Sequence, residues 1–310
     1  MTVFTPTPPT SPPPPPRQAP SPLSAGLDIL GRRSLRRRKL LEWVAVHSLA
    51  IVAAIFFAGP FFFLVVTAFM PDNQALSGAM WPSHWDWSNF STVWHSAGFL
   101  NWYKNTLLYA IPTTVLTVCS SVPVAYAMAK YKYRFRKTTL VILVSAMMIP
   151  PQVTVMPMYI VWTRQFGLGG TLWPLIIPTA FGDAYSIFLL RQFLLTVPKE
   201  YLDSAKVDGC GEIRTLLRVV VPMIRPAIAA VALFQFFYAW NDFFGPQVYL
   251  FASPQNWTLA LGLETFHEAH DVDWNVMMAA NLMVIAPVVV LFFFAQKAFV
   301  EGVTLTGVKT

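Results

Sequence analysis

Residues 44–70 read VAVHSLAIVAAIFFAGPFFFLVVTAFM, with no Asp, Glu, Lys or Arg anywhere in the run. A helix needs about 20 consecutive apolar residues to cross the hydrocarbon core of a bilayer, so this stretch can span one. The apolar part of a cleaved signal peptide covers only about 7–15 residues. The run is therefore an anchor. The whole chain agrees: of its 310 residues, 55% are hydrophobic and 12% charged, at a mean hydropathy of +0.51. An ordinary soluble domain is about 25% charged, which excludes a solvated globular enzyme and a disordered protein.

Outward from this run, residues 105–129, 139–163, 171–190, 227–244 and 276–296 also approach spanning length. Asp183 and Asp242 interrupt the fourth and fifth spans. Prolines such as Pro112, Pro150, Pro151 and Pro287 fall in or beside the runs, where neighbouring helices can satisfy the backbone groups they free. The charge pattern orients the spans. The net charge is +7, but 20 of the 22 Lys and Arg fall in the amino-terminal tail, residues 130–137, residues 191–225 and the end after residue 296. Only Lys104 and Arg164 lie in the other connections. Basic residues mark cytoplasmic loops, so the expected fold is all-α, with six transmembrane helices and both termini in the cytoplasm. The basic excess is then a topology signal and gives no ground for nucleic-acid binding.

Residues 1–40 are expected to be a separate region: a disordered tail, proline-rich through Pro12–Pro16, then a basic cluster from Arg32 to Lys39. Residues 41–310 form the membrane domain. Cys119 and Cys210 are too few for a disulfide framework, and no phosphate-binding loop or zinc motif is present. His267 and His270, beside Glu268 and Asp271, read as a solvated helix surface or, with less support, a metal site. Trp81, Trp85, Trp87, Trp94 and Trp102 crowd the first external loop. An interfacial aromatic belt accounts for them without a ligand, although stacking on a sugar remains open.

The fourth connection is long for a compact bundle. Residues 198–222 read PKEYLDSAKVDGCGEIRTLLRVVVP. Pro198 suits a helix start, Leu202, Ala205 and Cys210 can share an apolar stripe, and Gly209 and Gly211 permit a turn. Two short helices bent at a glycine, tethered at both ends, suit docking in a partner's groove.

These residues resemble the membrane subunits of binding-protein-dependent ATP-binding-cassette importers. The hallmark there is E-A-A, three residues, Gly, nine residues, then I-x-L-P. Asp203, Ser204 and Ala205 take the first three positions, Gly209 the glycine, and Val219, Val220, Val221 and Pro222 the last four. The departures are Asp for Glu, Ser for Ala, and Val for Ile and Leu. Residues 148–153, 188–193 and 240–243 look like the carbohydrate-uptake branch. Residues 302–309 are similar to the tail of the maltose-type permease that lacks an extra periplasmic domain. The resemblance covers residues 101–310.

The resemblance implies a non-catalytic subunit in a bacterial inner or plasma membrane. It implies a second, different permease, a dimer of ATPase subunits holding the ATP and Mg, and an extracytoplasmic sugar-binding protein. No cofactor is expected in this chain. ATPase contacts would come from Asp203, Ser204, Ala205, Asp208, Gly209, Cys210, Glu212, Arg214 and Pro222. Polar residues inside spans are functional candidates, which selects Asp183, Gln235, Asn241, Asp242 and Asn281 for the substrate path, with Tyr238 and Trp240 as aromatic surfaces. Hydrogen bonds between helices explain the same residues. Sugar phosphates or polyols are alternative cargoes. A secondary transporter is the rival class, kept alive by Asp183 and Asp242, but no internal repeat supports it.

The sidedness is checked by thiol labelling of intact cells in a background lacking Cys119 and Cys210. Ser77→Cys should react with an impermeant reagent and Thr138→Cys should not. The reverse pattern would overturn the orientation.

Overall fold

The computed structural model describes residues 22–75, 77–96, 98–268 and 273–307, without the side chains of 22–38, 267–268 and 297–307. The proline-rich residues 1–21 and the side chains of the basic cluster from Arg32 to Arg38 lie outside the described residues. So do the His267, Glu268, His270 and Asp271 side chains and the carboxy-terminal tail beyond 307. Among the described residues, the regular secondary structure is entirely helical. In lipid no water is available for backbone N–H and C=O groups, and a helix satisfies them within the segment.

The chain divides into two units, residues 1–62 and 63–310. The first contains most of α1 (Pro22–Ala68), whose portion Lys39–Ala68 has a mean hydropathy of 2.7. Its helical backbone begins at Pro22, well ahead of the expected span.

The second unit holds the rest. A short helix α2 (Ser88–His95) precedes the long α3 (Phe99–Lys130). The expected span at 139–163 is not one helix. It is α4 (Arg136–Met147) and α5 (Pro151–Ile160), the latter prolonged by a π turn to Gln165, and the axis bends by 89° between them. Pro150 and Pro151 cause the break: neither has an N–H, and each ring clashes with the preceding turn. The next span runs over Trp173–Thr196 in pieces, with α6 (Ala184–Thr196) after an interruption at Gly182 and Asp183. Two short helices follow, α7 (Glu200–Val207) and α8 (Glu212–Thr215), the second continuing helically to Met223. That segment bends by 82° into α9 (Arg225–Asn241). Then come α10 (Phe244–Leu250) and α11 (Trp274–Gly307). Four helical segments are long and apolar enough to cross a membrane, and six if each bent pair is one span.

Two apolar clusters hold the second unit together. One joins the last turns of α3 (Val122, Ala125, Tyr126) to α6 (Leu190, Leu194), to Leu202 of α7 and to Ala227 and Val231 of α9. The other gathers Phe99 and Trp102 of α3, Trp240 of α9, Leu259, and Ala279 and Ala280 of α11. Trp102, expected in the interfacial belt, belongs instead to this core, whereas Trp81, Trp85, Trp87 and Trp94 are exposed. A buried polar knot ties the same region. Asn275 donates to Asp72 and, at 3.0 Å, to Asn89, and the Asn89 amide donates to the Ala68 and Met70 carbonyls.

The Trp102 indole lies directly against the backbone of Gly262, leaving no room for a side chain there. Gly262→Ala should overpack this core and destabilise the protein by about 1–3 kcal/mol, read as a lower thermal midpoint and a reduced yield in detergent.

Candidate functional site

Helix breaks border two adjoining cavities. At the end of α9, Asp242 leaves the helical region (φ −67°, ψ 114°). Its Oδ1 accepts from the Gly245 backbone N–H at 3.0 Å, which starts α10, and its Oδ2 accepts from the Tyr109 hydroxyl on α3 at 2.8 Å. Around this point opens a cavity of about 820 Å³, lined by Gln235, Tyr238, Asn241 and Asp242, with Tyr109 and Tyr249. Pro151 and Gln152, at the α4–α5 bend, line it too. A second cavity of about 530 Å³ shares Pro178, Thr179, Gln235 and Tyr238 with the first and adds Gly182 and Asp183 from the third break. Non-helical backbone inside an apolar run is tolerated where it lines a cavity or is covered by protein, and the breaks at residues 182–183 and 242–243 meet that condition.

Of the seven substrate-path candidates, five come together here: Asp183, Gln235, Tyr238, Asn241 and Asp242. Asp183 also has a structural task, capping α6 by accepting from the Ser186 N–H at 2.7 Å and the Ser186 hydroxyl at 2.6 Å. Trp240 lies elsewhere. Positions three apart share a helix face and adjacent ones do not, so Tyr238 and Asn241 face the cavity while Trp240 turns into the core. It is 2% exposed, stacks on Phe236, and donates its indole N–H to the Val284 carbonyl at 3.2 Å. Asn281 lines neither cavity and donates to the Met277 carbonyl of its own helix. Tyr109 was invisible beforehand because its partner is 133 residues away.

The loop after α6 is built around one turn. α7 ends with Gly209 at φ +73°. The Gly209 N–H donates to the Lys206 carbonyl at 3.0 Å and the Cys210 N–H to the Ala205 carbonyl at 2.9 Å. This pair of bonds is the glycine-dependent helix stop of the Schellman type. Gly211 is extended (φ −70°, ψ 161°) and needs no glycine. Ala205, at 5% exposure, and Leu202 face inward, Cys210 and Pro222 are half-buried, and Asp203, Ser204, Asp208, Glu212 and Arg214 are exposed. The outward apolar surface is a different set: Tyr201, Val207 (88% exposed), Ile213 (76%) and Leu217. Glu212 is tied back to α3, accepting from the Tyr126 hydroxyl at 3.2 Å. A hydrogen bond to the same carboxylate holds the Tyr131 hydroxyl far above its ordinary range. Among the described residues, no group of three or more His, Cys, Asp and Glu is placed to hold a metal ion.

The family described as "Binding-protein-dependent transport system inner membrane component" matches residues 121–305, more than half of the chain and including the whole loop. The chain belongs to this family. It is thus a multi-pass membrane subunit of a transport complex. Among its relatives, the arabinooligosaccharides transport system permease protein AraQ of Halalkalibacterium halodurans is 30% identical over 277 residues, covering 87% of this chain and 97% of the relative. The maltodextrin transport system permease protein MdxG of Bacillus subtilis is 28% identical over 273 residues, covering 87% and 98%. A solved bacterial ABC transporter involved in import of the acidic polysaccharide alginate shares the fold. It aligns with a TM-score of 0.75 at 22% identity, over 85% of this chain and 98% of that one.

Removing the Asp242 carboxylate leaves the Tyr109 hydroxyl and the Gly245 N–H without their acceptor. Asp242→Ala in this transport subunit should therefore cost about 1–3 kcal/mol of stability and slow transport, measured by thermal unfolding in detergent and by uptake. Wild-type stability and uptake would overturn this role for the carboxylate.

Proposed function

We propose that the chain is one of two different permease subunits of an ABC importer for a sugar or oligosaccharide. It would have six spans, both termini in the cytoplasm, and the loop of residues 198–222 docked on an ATPase subunit. The relatives named for arabinooligosaccharides and maltodextrin support the cargo class. A second alginate-transporter structure, titled as a complex with a pentasaccharide-bound periplasmic protein, supports delivery by an extracytoplasmic binding protein. Residues 41–310 would form the permease domain, with residues 1–40 outside it.

The observation that carries this reading is the loop. Its helices turn Val207, Ile213, Leu217 and Tyr201 outward among charged neighbours, and an apolar patch rimmed by polar residues marks an interaction surface. Those four residues would fill the ATPase groove, with Asp203, Ser204, Asp208 and Arg214 as the polar rim. Ala205 would act by letting α7 pack closely from behind. ATP and Mg would be bound and hydrolysed by the ATPase dimer, with no catalytic residue or cofactor in this chain. Closure of the dimer would push the two permeases' loops and open the path outward.

The cavity around Asn241 and Asp242 is this subunit's half of that path. It combines tyrosine rings with amide and carboxylate groups, the chemistry that carbohydrate hydroxyls engage. The described part of α4 and α5 contains no fully buried residue, which leaves their faces to lipid and the partner permease.

Gly209→Val tests the coupling role. The site is open, with nothing within 4 Å of an added Cβ, so the change acts through the backbone. A side chain in this left-handed conformation costs about 1–3 kcal/mol. The variant should insert normally, yet lose uptake and retain little ATPase in a pull-down. Normal uptake with the ATPase bound would sink the assignment.

A further inference from the structure

Glu212 opens α8 at the surface of the loop, but its carboxylate faces back toward α3. There it meets the Tyr126 hydroxyl at 3.2 Å, and the Tyr126 and Tyr131 rings stand edge to face with centroids 5.9 Å apart. Tyr126 itself is buried in the cluster that also contains Leu202 of α7 and Val220. Four residues on, Lys130 Nζ donates to the Val197 carbonyl at 2.8 Å, just ahead of α7. The last turns of α3 therefore grip the loop at its entry through Lys130, at its first helix through Leu202, and at its second through Glu212. The same helix carries Tyr109, whose hydroxyl is bonded to Asp242 in the cavity. At 1.5 Å per residue, Tyr109 and Tyr126 lie about 25 Å apart along α3. One helix thus joins the loop to the cavity wall, with a tyrosine–carboxylate hydrogen bond at each end.

We infer, building on the assignment of the loop to the ATPase, that Tyr126 is a positioning residue that locks α8 to α3, so that loop movement becomes cavity movement. Apolar contact alone is non-directional and lets α8 slide across α3. A hydrogen bond to a carboxylate is directional, and at 3.2 Å the Tyr126 hydroxyl fixes where the Glu212 end of α8 sits on α3. It makes loop and helix turn as one body. Coupling between distant sites travels through packed side chains, hydrogen bonds and rigid helices of this kind. Under this assignment Glu212 serves inside the subunit, and the ATPase meets the apolar face and the other charges.

The test uses the full complex of both permeases, the ATPase and the binding protein in liposomes, with the variant Tyr126→Phe. The ring stays in place and the loop surface, including Glu212, is unaltered. The ATPase should co-purify at the wild-type ratio and hydrolyse ATP, while sugar delivered per ATP falls about fivefold or more, the lower end of typical coupling. A role in stability alone would leave that ratio unchanged, and an unchanged ratio overturns the inference. Loss of the ATPase from the variant complex also overturns it, because the hydroxyl would then only hold the docking surface in shape. Failure of the underlying assignment shows separately, as normal transport by Gly209→Val in the otherwise wild-type complex.

Discussion

A polypeptide in lipid must satisfy its own backbone hydrogen bonds, and every element of this structure answers to that requirement. It forces the apolar runs into helices and decides where those helices can stop. Interruptions fall within or beside expected spans at residues 148–150, 182–183 and 242–243, and the last two line cavities. At these two, freed groups find local partners. The Asp183 carboxylate takes the Ser186 N–H, and Asp242 takes Gly245. Two polar residues that line the cavities are thus also the ones that let helices end inside an apolar run.

This double duty explains what the amino-acid sequence showed and what it withheld. The apolar runs and the basic loops are local signals, and residues 44–70 or the loop glycine at 209 can be read from them directly. Asp183 and Asp242 stood out because a carboxylate in an apolar run has few tolerable environments. Their partners were hidden because hydrogen bonds such as Tyr109 to Asp242 join distant positions through tertiary packing. Trp240 stands next to Asn241 in sequence, but adjacent helical positions diverge, and its ring is buried in the core. A membrane bundle tolerates prolines as kinks, yet at Pro150 and Pro151 the chain turns through nearly a right angle.

The loop shows the same division. Its turn at Gly209 follows from a residue type, so it was legible. Which side chains face outward depends on how the loop settles: Leu202 is spent on the cluster with α3 and α6, and Ala205 is buried beside it on the same helix. The apolar surface left free is therefore Val207 and Ile213, residues that carry no motif. A motif records which positions a family restricts; burial decides which of them touch a partner and which support the ones that do.

The bend of 82° before α9 turns about Ile224, a fully buried residue with φ −102° and ψ 15°. Mechanically it is a crank: a short arm from Glu212 to Met223 and a long arm reaching Asn241. The long arm measures about 25 Å at 1.5 Å per residue. A rotation of about 10° at the pivot would sweep its far end through about 4 Å over that length. The pivot residue, remote from both ATP and cargo, would then set the gear ratio between them.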